Sequence, residues 1–456
     1  MRVKPFVDRR DPPDLLWEGG GRGSGAGLGR TRGGRREDAA WSQAVVVLQR
    51  SVAWWVFWVA CLWAPSVVAE PSADVGEPSA EPEGSAGAGD EVPFGTELAD
   101  DWSGADVEAW LRSQGLGGGE SSTGEVSFSA GGFADVLFHV AEHEGHPHGE
   151  FHVGQLVFHG LADLTRGFFA FMEVSINTEP FWETRVERLS LSWELNDHLR
   201  LSVGRHHLPV TWWNSTFHHG MWLQTTARRP LVVGFNDAFV PNHATGLVAE
   251  GKVPWLGAYG LRYHLGVSGG SDDHVHAQKS GYGHGGDEAP RLAYSGGLFV
   301  EPPSLPRLRT GAVVFVDPRR VREGREVEEW MMGAHVAYTG ESPELVAEVV
   351  AVYHDASGLG DGDVGGQFLH WTYYVQGAWR LGGRASAWKP YVRYERLLLD
   401  DAQDPTLASA SEAEVMLGGI RWDVTPWLAL RLEGSRRRVG GQAARFDGLL
   451  QASAAW

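Results

Sequence analysis

The sequence predicts an all-β protein, a transmembrane antiparallel β-barrel of about sixteen strands (14–18) with a long third external loop folded inward. Three observations carry that prediction. From Glu125 onward, segments of alternating apolar and polar residues recur between turn signals, and no helical period persists. The connections alternate between tight and long. The chain closes on FDGLLQASAAW, in which Phe446, Leu450, Ala452, Ala454 and Trp456 share one face and the last residue is aromatic. Composition agrees: 21 Trp and 61 Gly suit aromatic girdles and glycine-rich turns.

Residues 1–69 read as an export signal with a long, Gly/Arg-rich leading region. The apolar run VAWWVFWVACLWA follows Arg50 and is too short to span a bilayer comfortably. Val67 and Ala69 then offer the small residues of a cleavage site after Ala69. Cys61 is the only cysteine and falls within that segment, so the mature chain can hold neither a disulfide nor a Cys-based zinc site. Residues 70–124 form an acidic linker, rich in Pro, Ser, Gly and Ala at 70–97, where no core can be buried. One short amphipathic helix is expected within it at 98–113, with Trp102, Val107, Trp110 and Leu111 on a shared face.

The barrel is expected over 125–456, with strands near 125–139, 150–162, 166–177, 183–196, 198–206, 244–253, 256–268, 292–301, 306–316, 326–339, 344–354, 367–381, 387–399, 411–423, 426–437 and 443–456. Connections after even-numbered strands are tight and rich in Pro, Gly and Asp, as at 163–165, 196–197, 254–255 and 340–344. Those after odd-numbered strands are longer overall: 140–149, 207–243, 269–291, 317–325, 355–366 and 400–410. Short periplasmic turns and long external loops alternate in bacterial membrane barrels. A soluble β-sandwich does not readily produce that parity.

Face patterns say which side is wet. Leu189, Leu191, Trp193 and Leu195 oppose Arg188, Ser190, Ser192 and Glu194, and Leu428, Leu430 and Leu432 oppose Arg431 and Glu433. An Arg or Lys facing lipid at mid-membrane costs roughly 2–4 kcal/mol, so the charged faces should line the lumen. The expected lining residues are Glu173, Arg188, Glu194, Glu250, Arg262, Arg393, Arg431 and Glu433, with Arg188, Arg262 and Arg431 facing water. Both signs are present, so ion preference is not legible. Beyond residue 69 the chain carries 29 basic and 52 acidic side chains, which argues against a nucleic-acid partner.

The 207–243 connection holds Trp212, Trp213 and Trp222, so a solvated flap is implausible. A loop of this length inside a compact domain is normally functional. Its candidate constriction residues are Arg205, His207, Trp213, Asn214, His218, His219, Arg228 and Arg229. They would either narrow an open eyelet or plug the lumen.

The run GRHHLPVTWWNSTFHHGMWLQTTARRPLVVGF, with the strands on either side, resembles a group of largely uncharacterised porin-like proteins of proteobacterial outer membranes. Arg205, His207, Trp213, Asn214, His218, His219, Gly220, Trp222, Leu223, Gln224 and Thr225 carry the match, over about seventy residues; phosphate-selective and general porins resemble the rest in barrel pattern. The resemblance implies an outer-membrane channel in contact with lipid, inserted by machinery that reads Trp456, without an established solute. A homotrimer would suit a barrel of this width.

Two histidine-rich loops suggest an alternative. The first contains His139, His143, His146, His148 and His152 with Glu142, Glu144 and Glu150, of which His143, His146 and His148 are the candidate ligands; the fourth contains His274, His276 and His284 with Asp272, Asp273 and Asp287. Such tracts suit Zn, Cu or Ni, and metal-binding or metal-uptake is the second reading; solvated polar loops give the same sequence. No other cofactor is implied. The chain shows neither a G-x-S-x-G elbow nor an HExxH motif, so no enzyme is expected. The reading that follows is passive diffusion of small hydrophilic solutes, with a plugged structural barrel as the remaining alternative.

Overall fold

The structure, a computed structural model, describes residues 126–143, 146–177, 183–233, 240–269, 291–320, 326–356, 366–383, 386–400, 404 and 411–456. The expected signal, linker and short helix, and the fourth loop with His274, His276 and His284, lie outside the described residues.

Sixteen strands form a closed antiparallel barrel: β1 (Ser127–His143), β2 (His146–Asp163), β3 (Phe168–Asn177), β4 (Glu183–Asn196), β5 (Leu199–His207), β6 (His243–Lys252), β7 (Leu261–Gly269), β8 (Leu292–Val300), β9 (Leu308–Arg320), β10 (Glu326–Tyr338), β11 (Glu344–Asp355), β12 (Gln367–Ala378), β13 (Trp388–Leu398), β14 (Ala413–Thr425), β15 (Leu428–Val439) and β16 (Arg445–Ala455). Each strand pairs with its sequence neighbours, and β1 pairs with β16 to close the ring. Closure removes the unpaired edges that an open sheet would present. At the seam Gly132 and Trp456 exchange both main-chain hydrogen bonds. Glycine is required there, because a Cβ on Gly132 would stand 2.4 Å from the Trp456 ring.

The shortest strands, β5, β7 and β8, have 9 residues each, enough for one tilted crossing of a bilayer core. β1 and β2 run well beyond that. The expected loop at 140–149 is instead the end of a hairpin, paired as far as His143 with His146. Phe138 and Phe151 pack across it at 4.5 Å, and Gly149 leaves room for the Phe138 ring. A second departure is at 254–260. Pro254–Tyr259 forms a 3-10 turn, so Tyr259 is not part of β7 as expected. Pro254 has no N–H to give a ladder, which favours ending the strand there.

The barrel is apolar outside and polar within. Leu432 is 60% exposed while its neighbour Arg431 is fully buried, and the same inversion holds along β4, β7, β12 and β16. Trp193, Trp255, Trp379, Trp388, Trp422, Trp427 and Trp456 are exposed on the outer surface near the rim that carries the tight turns. Trp388 stacks on Trp422 and Phe168 on Trp193. This is the aromatic girdle of a membrane-type barrel.

Two bulges adjust the inner face. Opposite Asp135, β2 carries an extra residue near Gly154 and Gln155, and the Asp135 carboxylate accepts the Gln155 N–H at 2.9 Å. On β4 the extra residue is Glu187, which lets consecutive Glu187 and Arg188 both face inward.

Candidate pore constriction and its histidine cluster

Between β5 and β6 the chain leaves the wall and packs inside the barrel. Leu208, Val210, Trp213, Val232, Val233 and Val240 form one apolar cluster with Ala293, Phe315, Met331, Val350 and Val352 of β8 to β11. A short helix, α1 (Trp212–Phe217), starts behind Thr211, whose hydroxyl accepts the Asn214 N–H at 3.1 Å. The N–H groups of Trp212 and Trp213 donate to the two oxygens of Glu348 on β11, at 2.6 and 3.0 Å. Tyr374 donates its hydroxyl to the same carboxylate. Asn214 ties the two feet of the segment together by donating to the carbonyls of Leu208 and Asn242, at 2.9 and 2.8 Å.

Further along, arginines of the wall grip the segment's main chain. Arg431 donates to the carbonyls of Trp222, Gln224 and Thr225 at 3.0, 2.6 and 3.1 Å. Arg421 reaches those of Trp222 and Gln224, and Arg393 that of Arg229. Salt links run the other way: Arg228 meets Glu433 and Asp447 at 2.8 and 2.9 Å. Arg229 donates to Gln155 at 2.5 Å and lies over the Trp213 ring. Arg205 donates to the Glu187 carbonyl at 3.1 Å.

Of the expected lining residues, Arg188 and Arg262 face the remaining interior space, and Glu194 sits exposed toward the tight-turn rim. The expectation that Arg431 faces water is corrected: it points inward but is fully buried, as are Arg393 and Glu433. The inserted segment supplies carbonyls and a guanidinium that replace water around them. An arginine without such partners would not tolerate that burial.

On the β3 to β10 side, the segment and the wall leave a cavity of about 150 Å³. Four arginines line it, Arg188, Arg200, Arg262 and Arg309, against two carboxylates, Glu250 and Glu301. His206, His264 and His335 line it as well. The sequence reading missed Arg200, Arg309, Glu301, His206 and His335, whereas the alternation along β7 already turns His264 inward with Arg262. Their inward position follows the strand alternation, but which part of the wall stays uncovered depends on the segment's path.

Next to this cavity four imidazoles converge. His207 ends β5, His218 and His219 follow α1, and His243 begins β6. Each can offer one ring nitrogen with all four within 4.8 Å of one another. Two carboxylates flank them. Glu187 lies 3.4 Å from Nε2 of His219 and 3.3 Å from Nε2 of His243. Glu173 lies 3.7 Å from His207 and His219, and is itself held by Arg188 at 2.5 Å and His159 at 3.1 Å. Burial, reinforced by the neighbouring imidazoles, holds His218 well below its ordinary pKa.

Of the metal residues expected in the first loop, His146 and His148 belong to no cluster of ligands among the described residues. His146 and His148 are exposed along the hairpin, and the side chain of His143 lies outside the described residues. The hairpin does bring together His139, Glu150 and His152, which the sequence places in the same histidine-rich stretch. A third group, His354, His370 and Asp404, is already internally satisfied: Asp404 lies 2.6 Å from His354 and 2.7 Å from His370, while Glu329 takes the other nitrogen of His354 at 2.5 Å.

No protein-family model and no curated protein matches the chain. Solved structures do match in fold. An anion-selective porin from Comamonas acidovorans aligns with a TM-score of 0.53 at 12% identity, over 73% of this chain and 100% of that one. The outer-membrane channel DcaP of Acinetobacter baumannii gives 0.53 at 13%, over 75% and 100%. Salmonella typhi OmpF, in complex with daunomycin, gives 0.51 at 9%, over 72% and 98%. At these identities the likeness is one of architecture: the sixteen-stranded fold of outer-membrane porins.

Proposed function

We propose that this chain is an outer-membrane, porin-like channel that passes small hydrophilic solutes by diffusion. The inserted segment sets the width of the passage. The observation that carries this reading is the polar cavity between that segment and the wall from β3 to β10. It lies beside a barrel whose outer face is apolar and girdled with tryptophan, as a lipid-facing surface would be. The terminal Trp456, exposed at the seam, fits recognition by barrel-insertion machinery.

The lining favours anions. Four arginines face two carboxylates in a narrow space, and charge placement at the narrowest point governs selectivity. The same field would raise the local concentration of an anionic solute. The test is conductance of the purified barrel in a planar bilayer under a potassium chloride gradient. The expected result is a reversal potential displaced toward chloride, which moves toward potassium in the Arg262→Glu, Arg309→Glu variant. Folded protein without conductance would overturn the channel reading and leave a plugged barrel.

A further inference from the structure

We propose that His207, His218, His219 and His243 form a binding site for a divalent transition-metal ion of the zinc type, at the point where the inserted segment leaves and rejoins the wall. The site goes beyond the channel reading and does not depend on it, because binding can be measured on a barrel that conducts nothing.

Geometry is the first support. The ring centroids of His218 lie 4.8, 4.1 and 4.8 Å from those of His207, His219 and His243. The remaining pairs lie 5.0 to 6.1 Å apart. Four nitrogens bound tetrahedrally to zinc at about 2.0–2.1 Å are spaced about 3.4 Å apart. The present spread of 4.8 Å or less is therefore within reach of small side-chain rotations.

Burial is the second. The side chains of His218 and His219 are 1% exposed, and His207 is 7%. Neither ring nitrogen of His207 has a hydrogen-bond partner among the described residues. Leaving a buried polar nitrogen unsatisfied costs about 1–3 kcal/mol, and a shared metal ion would remove that cost. The contrast with His354 and His370 is direct, since carboxylates already occupy their nitrogens.

Charge is the third. Glu173 is held by Arg188 at 2.5 Å, whereas the Glu187 carboxylate faces His219, His243 and the Ser175 hydroxyl. A carboxylate on the outer nitrogen of a ligating histidine is the usual outer-shell partner of a metal site. An imidazole-only donor set suits zinc, copper or nickel over magnesium or calcium. A closed tetrahedral set of four nitrogens fits zinc.

Such an ion would join both feet of the segment to its middle. His207 and His243 are paired across β5 and β6, while His218 and His219 come from beyond α1. Metal would thereby fix the segment that sets the lumen width.

The test uses the full chain extracted in detergent and stripped with a chelator. The exposed or loop histidines His146, His148, His274, His276 and His284 are replaced by alanine to suppress adventitious binding. Zinc content by mass spectrometry and cobalt absorption are then read on this background. One equivalent of zinc and the intense visible bands of tetrahedral cobalt are expected. In His218→Gln, His219→Gln the affinity should fall by about 100-fold or more. No stoichiometric zinc in the background, or unchanged affinity in the double variant, would overturn the site. Should the double variant not fold, His243→Gln and the cobalt spectrum of the background decide: the weak bands of octahedral cobalt would overturn it equally.

Discussion

The carbonyl oxygen of Val210 lies against Gly333 of β10, 1.9 Å from where a Cβ on that glycine would stand. The close approach lets the inserted segment seat on the wall just before α1. It is a contact between backbone and backbone, so no flexible side chain can move aside to admit a methyl group.

Gly333→Ala should therefore dislodge the start of the segment without opening the barrel. The strand itself tolerates alanine, since Gly333 sits in regular pairing with Val313 and Val350. Single-channel recording should show a several-fold larger or noisier conductance. Conductance identical to that of the parent would mean that the segment does not limit flow.

Removal of Glu348 tests the same attachment from the other partner. Its two oxygens receive the N–H groups of Trp212 and Trp213, 135 or more residues away in sequence. In Glu348→Ala both donors lose their acceptor, at about 1–3 kcal/mol each. Limited proteolysis should then cut within 208–242 far faster than in the parent, while heat-dependent gel mobility still reports a closed barrel. Equal cleavage rates would count against this anchor.

Arg431 offers a third handle, because its guanidinium serves three carbonyls of the segment as well as Ser453 and Gln451. Arg431→Met keeps most of the volume and removes every donor. Each buried carbonyl left without its donor costs about 1–3 kcal/mol. The midpoint of thermal unfolding should fall and the amides of 222–225 should exchange faster; protection equal to the parent's would contradict the role assigned to Arg431.

A pH dependence is expected at the tight-turn rim. Burial raises the Glu341 pKa, but Lys389 at 3.0 Å and Arg380 at 2.6 Å outweigh it and hold the carboxyl below its ordinary 4.5. A depressed folded-state pKa contributes stability above the unfolded value, and that contribution disappears as pH falls through the folded value. Glu341→Gln should therefore lower the unfolding temperature near pH 7 and lose its effect in acid below the ordinary carboxyl range. A deficit of the same size at both pH values would exclude the ion pairs as its source.

Much of the barrel is legible in the sequence. Strand number and most boundaries follow from a period of two, because lipid outside and polar groups inside impose opposite demands on successive residues. Leu432 and Arg431 show this directly, being adjacent in sequence and opposite in exposure. The tight turns announced themselves through Pro, Gly and Asp. The first hairpin is the exception: its histidines and glutamates read as a loop, whereas Phe138, Val140, Phe151 and Val153 keep the alternation running.

The interior was legible only in part. His207, His218 and His219 were recognised as polar groups of one segment, but His243 was not. It joins them through the antiparallel register that places it opposite His207. Glu187 was missed because a bulge breaks the alternation that would have turned it outward. Local alternation thus determined the cylinder, since each strand needs only its own residues to know which side is wet. The path of the segment through the lumen was decided by partners such as Glu348, Arg431 and Gly333, lying more than a hundred residues away, which only closure of the barrel brings into contact with it.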